Sequence, residues 1–142
     1  MDIQLIQHES PSYHEMVALR REVLRRPLGL DFTPEQLAAE KEDILVAGTE
    51  DGKVVACCIL TPVDHEVLQL RQMAVETGIQ GKGRGKDIVQ FAEDWGREHG
   101  FKTLMMHARD IAIGFYEKCG YTLVGEGFTE VGIPHHQMEK AL

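Results

Sequence analysis

Leu70-Arg71-Gln72-Met73-Ala74-Val75 is followed by Gly78-Ile79-Gln80-Gly81-Lys82-Gly83-Arg84-Gly85-Lys86 and then by an amphipathic run ending near Gly100. This succession of strand, glycine loop and helix decides the fold. Over residues 67–76 the side chains alternate. Leu68, Leu70, Gln72 and Ala74 are expected on one face, and Val67, Gln69, Arg71, Met73 and Val75 on the other. In the helix, Ile88, Phe91, Ala92 and Trp95 recur at helical spacing and form one apolar stripe. A glycine loop between such elements is an anion-binding device. The first N–H groups of the helix are free, and the helix dipole adds partial positive charge. Glycine lets the backbone approach an oxyanion with no Cβ in the way. Lys82, Arg84 and Lys86 supply local positive charge. The P-loop pattern does not fit: with Gly85-Lys86 as its G-K pair, Gln80 falls on the first glycine and Asp87 on the Ser or Thr. The dinucleotide fingerprint fails too, since its last glycine falls on Lys86 or Ile88.

Upstream, Ser10-Pro11-Ser12 reads as a helix start, and Met16, Leu19, Val23 and Leu24 carry the helical period up to Pro27 and Gly29. Arg20, Arg21 and Arg26 read as the solvated face of that helix. Thr33-Pro34-Glu35-Gln36 is a second start. Strand-like runs cover residues 3–7, 44–48, 53–61 and 67–76, with a hairpin signal at Asp51-Gly52. Downstream, residues 103–108 read as a strand, 110–119 as a short helix ended by Gly120, and 121–125 and 137–142 as the last strands. Antiparallel hairpins followed by strand–helix–strand–helix–strand predict one α/β domain over residues 1–142. Its sheet is expected to be mixed and mostly antiparallel, with about four flanking helices.

Composition narrows the function. The chain has 142 residues, 43% of them hydrophobic, enough for one core. Asp+Glu number 23 against 15 Lys+Arg, a net charge of −8, which argues against nucleic-acid or anionic-membrane partners. The three cysteines, Cys57, Cys58 and Cys119, form neither a disulfide framework nor a zinc spacing, so a reduced, cytoplasmic setting and no metal are expected. The N-terminus lacks a basic n-region and a long apolar run, so no signal peptide is read there.

Gln80-Gly81-Lys82-Gly83-Arg84-Gly85 resembles the Q/R-x-x-G-x-G/A motif of the GCN5-related N-acetyltransferase (GNAT) superfamily. The preceding strand is similar to that family's central strand, and Phe115-Tyr116-Glu117-Lys118-Cys119-Gly120-Tyr121 to its Y-E-K-x-G-F/Y segment. The resemblance implies that the mixed, mostly antiparallel sheet is splayed in the GNAT-like manner, and it implies acetyl-CoA as cosubstrate. Its pyrophosphate would lie on the N–H groups of Gly81, Lys82, Gly83, Arg84, Gly85 and Lys86, with Gln80 opening the motif. Its pantetheine would pair with the backbone of Met73, Ala74 and Val75 like an added strand. Two positions depart from the pattern: Thr77 stands where the family often has Pro, and Arg109 where many members have Asn.

Amide formation from a thioester needs a base for the amine, a donor for the developing oxyanion and a proton for the leaving sulfur. The resemblance assigns the last role to Tyr116, a phenol with an ordinary pKa of about 10. Gly132-Ile133-Pro134-His135-His136-Gln137-Met138 resembles the ending of the glyphosate N-acetyltransferase-like branch, where the Pro-His histidine is the general base; here that is His135. His136 is expected to point the other way and His107 to be structural. Arg71 and Arg109, with Arg25 as a looser third match, correspond to arginines that grip an anionic acceptor in that branch. The expected activity is N-acetylation of a small amine bearing a carboxylate or phosphonate, by a monomer or homodimer. A non-catalytic acyl-CoA sensor and a protein N-acetyltransferase stay open as alternatives.

Overall fold

The computed structural model describes residues 1–142. Seven strands build one sheet: β1 (Asp2–Ile6), β2 (Ile44–Glu50), β3 (Lys53–Pro62), β4 (Val67–Val75), β5 (Thr103–Arg109), β6 (Thr122–Glu130) and β7 (Ile133–Ala141). Their spatial order is β1-β2-β3-β4-β5-β7-β6. The α-helices are α1 (Pro11–Arg20), α2 (Pro34–Ala38), α3 (Arg84–Glu98) and α4 (Ile113–Lys118). All neighbouring strands are antiparallel except β4 and β5, which run parallel. A parallel pair needs a crossover, and α3 provides it. The architecture is the mixed, mostly antiparallel α/β sheet expected. No helix is long and apolar enough to cross a membrane.

Local chemistry sets the boundaries. The Ser10 hydroxyl accepts from Tyr13 N–H at the start of α1, and Thr33 and Gln36 close a reciprocal capping box on α2. Past Arg20 the chain loosens into a π-turn and then a 3₁₀ turn, stopped by Gly29 at φ +70°. Asp51 and Gly52, both at positive φ, turn β2 into β3.

The sheet has two buried faces. Ile88, Val89 and Ala92 of α3 pack with Cys58, Leu60, Leu68, Leu70 and Met106 on one. Tyr13, Met16 and Val17 of α1 pack with Leu45, Cys57 and Ile59 on the other. Arg20 overturns its reading as a solvated residue. It is fully buried, and its Nη1 and Nη2 donate to Glu40 at 2.8 and 2.6 Å, with the Tyr13 hydroxyl donating to the same carboxylate at 2.7 Å. Burial pushes the Glu40 pKa up, but hydrogen bonds from Arg20 and Tyr13 and the Arg20 charge outweigh it, and the carboxyl ends below its ordinary value.

The alternation expected along β4 holds only to Arg71. Ala74 pairs with Cys57 while Arg71 pairs with Ile59, so β4 carries an extra residue there, and Gln72 sits at φ +53°. Beyond this bulge the faces exchange: Ala74 joins the α1 side, and Met73 and Val75 join Leu68 and Leu70 on the α3 side. β4 pairs with β5 only from Val67 to Leu70, opposite Thr103 to Met106. Past that point the strands part and leave a wedge between residues 71–75 and 107–109.

The last two strands are longer than expected and begin elsewhere. β6 runs to Glu130 and β7 starts at Ile133, so His135 and His136 lie in a strand rather than ahead of one. Residues 110–119 divide into a 3₁₀ turn at Asp110–Ala112 and α4.

Candidate active site

Gly83, at φ +82°, is the N-cap of α3 and offers no side chain to the helix end. None of the main-chain N–H groups of residues 80–86 meets an acceptor within the protein. Unpaired donors gathered at the start of a 15-residue helix are what a diphosphate requires. The side chains divide differently from the expectation that all three cations serve the anion. Arg84 is turned away, its Nε and Nη2 each 2.8 Å from the Glu50 carboxylate. Lys82 and Lys86 are exposed and free of ion pairs. The Gln80 side chain donates to the Val75 carbonyl at 3.0 Å and folds the loop back on β4. Gly85 is needed for close approach: a Cβ there would lie 3.2 Å from Phe115 and 3.5 Å from Met73.

At the other end of the wedge is a cleft of about 160 Å³. Met73, Arg25, Arg71, Arg109, Tyr116 and His135, scattered over the sequence, all line it. It continues into a wider cavity of about 400 Å³ that Arg25 and Arg71 also border. Sheet register explains much of this convergence. His135 on β7 is paired with Arg109 on β5 and with Phe128 on β6, so the three side chains share one face.

Tyr116 is buried, with Phe115 and Tyr121 against its ring edges. Its hydroxyl meets no hydrogen-bond partner in the protein. Burial, and then the thiols of Cys58 and Cys119, hold the phenol above its ordinary pKa, so it keeps its proton. His135 is 4% exposed. Its Nδ1 lies 2.9 Å from the Ile133 carbonyl, which makes Nδ1 the donor and leaves Nε2 with the lone pair. His136 points away, to Asp110 at 2.7 Å.

Arg25 and Arg109 take part in no ion pair. Their Nη atoms converge on the Leu24 carbonyl at 3.3 and 3.0 Å, and Arg25 also lies over the Phe32 ring. Burial first, and then the charges of Arg109 and Arg20, pull the Arg25 pKa below the usual arginine value; burial does the same for Arg109. Two half-buried guanidiniums with no carboxylate in ion-pair contact make a site that favours an anion. Arg71 is less free, with Nη1 at 3.2 Å from Thr61 Oγ1 and 3.5 Å from Asp43.

Two cleft residues escaped the sequence reading. Glu130 ends β6, and His107, expected to be structural, lines the cleft as its partner, with Nδ1 at 3.0 Å from the Glu130 carboxylate. No spacing points to Glu130; only the hairpin between β6 and β7 turns it inward.

A splayed α/β sheet with a donor-rich loop at one end of the wedge and a cationic cleft at the other defines the class. The model of the Acetyltransferase (GNAT) family matches residues 4–121, and the chain belongs to that family. "Probable N-acetyltransferase 14" of Xenopus tropicalis is 29% identical over 86 residues, covering 58% of this chain and 42% of the frog protein. The matched segments span 40–62% of the curated relatives. Among solved structures, an aminoglycoside 6'-acetyltransferase type Ii superposes with a TM-score of 0.84 at 22% identity, over 99% of this chain and 97% of that one. A GNAT family acetyltransferase from Elizabethkingia anophelis with acetyl-CoA bound superposes with a TM-score of 0.77 at 17% identity, over the same shares. These likenesses show the fold.

Proposed function

We propose that the protein transfers the acetyl group of acetyl-CoA to the amine of a small molecule bearing a carboxylate or phosphonate. One observation carries the reading: Arg25, Arg71, Arg109, Tyr116 and His135 line a single cleft, with Met73 of the open strand on its wall. Family membership and the unpaired loop N–H groups support the cosubstrate, for which the Elizabethkingia structure offers a precedent. The resemblance of the Pro134-His135 segment to the glyphosate N-acetyltransferase-like branch supports an acidic acceptor.

Bound acetyl-CoA supplies an activated acyl group. The loop of residues 80–86 and Lys82 and Lys86 hold its phosphates, and the exposed edge of Met73–Val75 orients its arm. His135 Nε2 takes a proton from the incoming ammonium, and a main-chain N–H in Met73–Val75 donates to the carbonyl oxygen as charge develops. The C–N bond forms and the C–S bond breaks. Tyr116 passes its proton to the sulfur, and the phenolate regains one from the amide nitrogen. Arg25 and Arg109 hold the acceptor's acidic group.

Release of the free CoA thiol, measured across a panel of acidic and neutral amines, tests the proposal. Acidic amines are expected to be preferred. Arg109→Ala should raise their KM about tenfold or more and leave acetyl-CoA affinity unchanged. Equal losses for neutral amines would overturn the choice of acceptor, and no thiol release with any amine would overturn the activity.

A further inference from the structure

Glu130 stands out as the one carboxylate in a cleft whose other charged or titratable side chains include Arg25, Arg71, Arg109, His107 and His135. Its backbone is set by the two-residue turn Val131-Gly132, both at positive φ, with Glu130 paired to Ile133. One oxygen, Oε1, takes the His107 Nδ1 contact at 3.0 Å. The other, Oε2, lies 3.6 Å from His135 Nε2. Because the His135 Nδ1 proton is committed to the Ile133 carbonyl, the neutral ring turns a lone pair, not a proton, toward Oε2. A carboxylate oxygen and an imine nitrogen then face each other as two acceptors with no donor between them. That arrangement becomes attractive when the ring itself takes a proton or when a cation bearing N–H groups bridges the two atoms. A primary ammonium has three donors on a compact charge and satisfies both atoms at once.

In the same cleft, Arg25 and Arg109 are in no ion pair and share the Leu24 carbonyl. The cleft is therefore bipolar, with a cationic wall from the turn after α1 and the end of β5, and an anionic point at the end of β6.

We infer that Glu130 is a specificity-determining residue that, together with His135 Nε2, binds the acceptor's amine in its protonated form, so that the cleft selects a zwitterion carrying an ammonium at one end and an anionic group at the other. The inference rests on the proposed acceptor site and deepens it. On proton transfer, one ammonium proton moves to His135 Nε2 and the neutral amine keeps its electron pair for attack. The resulting imidazolium faces Glu130, which balances its charge. His107 acts at one remove, by holding Oε1 and thereby the orientation of Oε2.

Binding can be read without turnover, so the inference is testable even if no acetylation occurs. With CoA present, the probes are 3-aminopropylphosphonate and its des-amino counterpart, propylphosphonate, titrated against the protein by NMR. The intact protein is expected to bind the amino compound about tenfold more tightly, the scale of one hydrogen bond to a charged group. Glu130→Gln should erase that preference and leave propylphosphonate binding as strong or stronger. Glu130→Asp keeps the charge but withdraws it and should give an intermediate preference. In turnover, Glu130→Gln should raise the KM for the amino acceptor more than it lowers kcat. Equal binding of the two probes by the intact protein would overturn the inference, as would a preference unchanged in Glu130→Gln. Failure of both probes to bind would count against the anion-binding wall, and hence against the acceptor class proposed above.

Discussion

Residues 80–86 and the cleft beside Tyr116 are built by opposite means. The loop offers main-chain N–H groups, and two of its four side chains turn elsewhere: Arg84 to Glu50 and Gln80 to the Val75 carbonyl. The cleft is walled by side chains from β4, β5, α4, β6, β7 and the turn after α1. A backbone-built site depends on φ and ψ and on the absence of Cβ atoms, and tolerates replacement of its cations. A side-chain-built site depends on single residues but accepts small shifts of backbone. Three substitutions break or sharpen that contrast.

The largest effect is expected on the side-chain side. Tyr116→Phe removes the one free phenol without opening a void, and should lower kcat about a hundredfold with acetyl-CoA affinity preserved, measured by thiol release. A drop in affinity to match would mean that Tyr116 anchors rather than reacts. Next comes the backbone. Gly83→Ala puts a side chain on a residue at φ +82°, a strain of about 1–2 kcal/mol, and should weaken CoA about tenfold by calorimetry while kcat at saturation holds. Space is not the obstacle there, since nothing lies within 4 Å of the added Cβ, so the loss isolates conformation. The smallest effect belongs to the loop's own arginine. Arg84→Gln should change CoA affinity by about threefold or less, because its guanidinium already serves Glu50. A tenfold loss would show that Arg84 leaves Glu50 for the cosubstrate.

Legibility followed the same division. The glycine loop, its helix and the capping residues Ser10 and Thr33 were readable because each is a local demand of the backbone, met within a few residues. Alternation gives the wrong faces for β4 past Arg71, since a bulge at Gln72 depends on pairing with β3 and leaves no mark in an alternating pattern. The burial of Arg20 is hidden from the sequence for a related reason. Its helix face looked solvated until Glu40 and Tyr13, distant in sequence, closed over it. The cleft's arginines, Tyr116 and His135 were named through resemblance, not through spacing.

The amino-acid order alone determined the α/β layer pattern, the glycine turn before α3 and the acidic balance of the chain. These depend on periodicity, glycine and net charge, which act locally or by sum. Tertiary structure alone decided that β4 and β5 part after Leu70, that His135 lies in register with Arg109, and that Glu130 turns into the cleft. Each depends on how strands far apart in the chain align, and register is settled by the packing of whole faces rather than by any one residue.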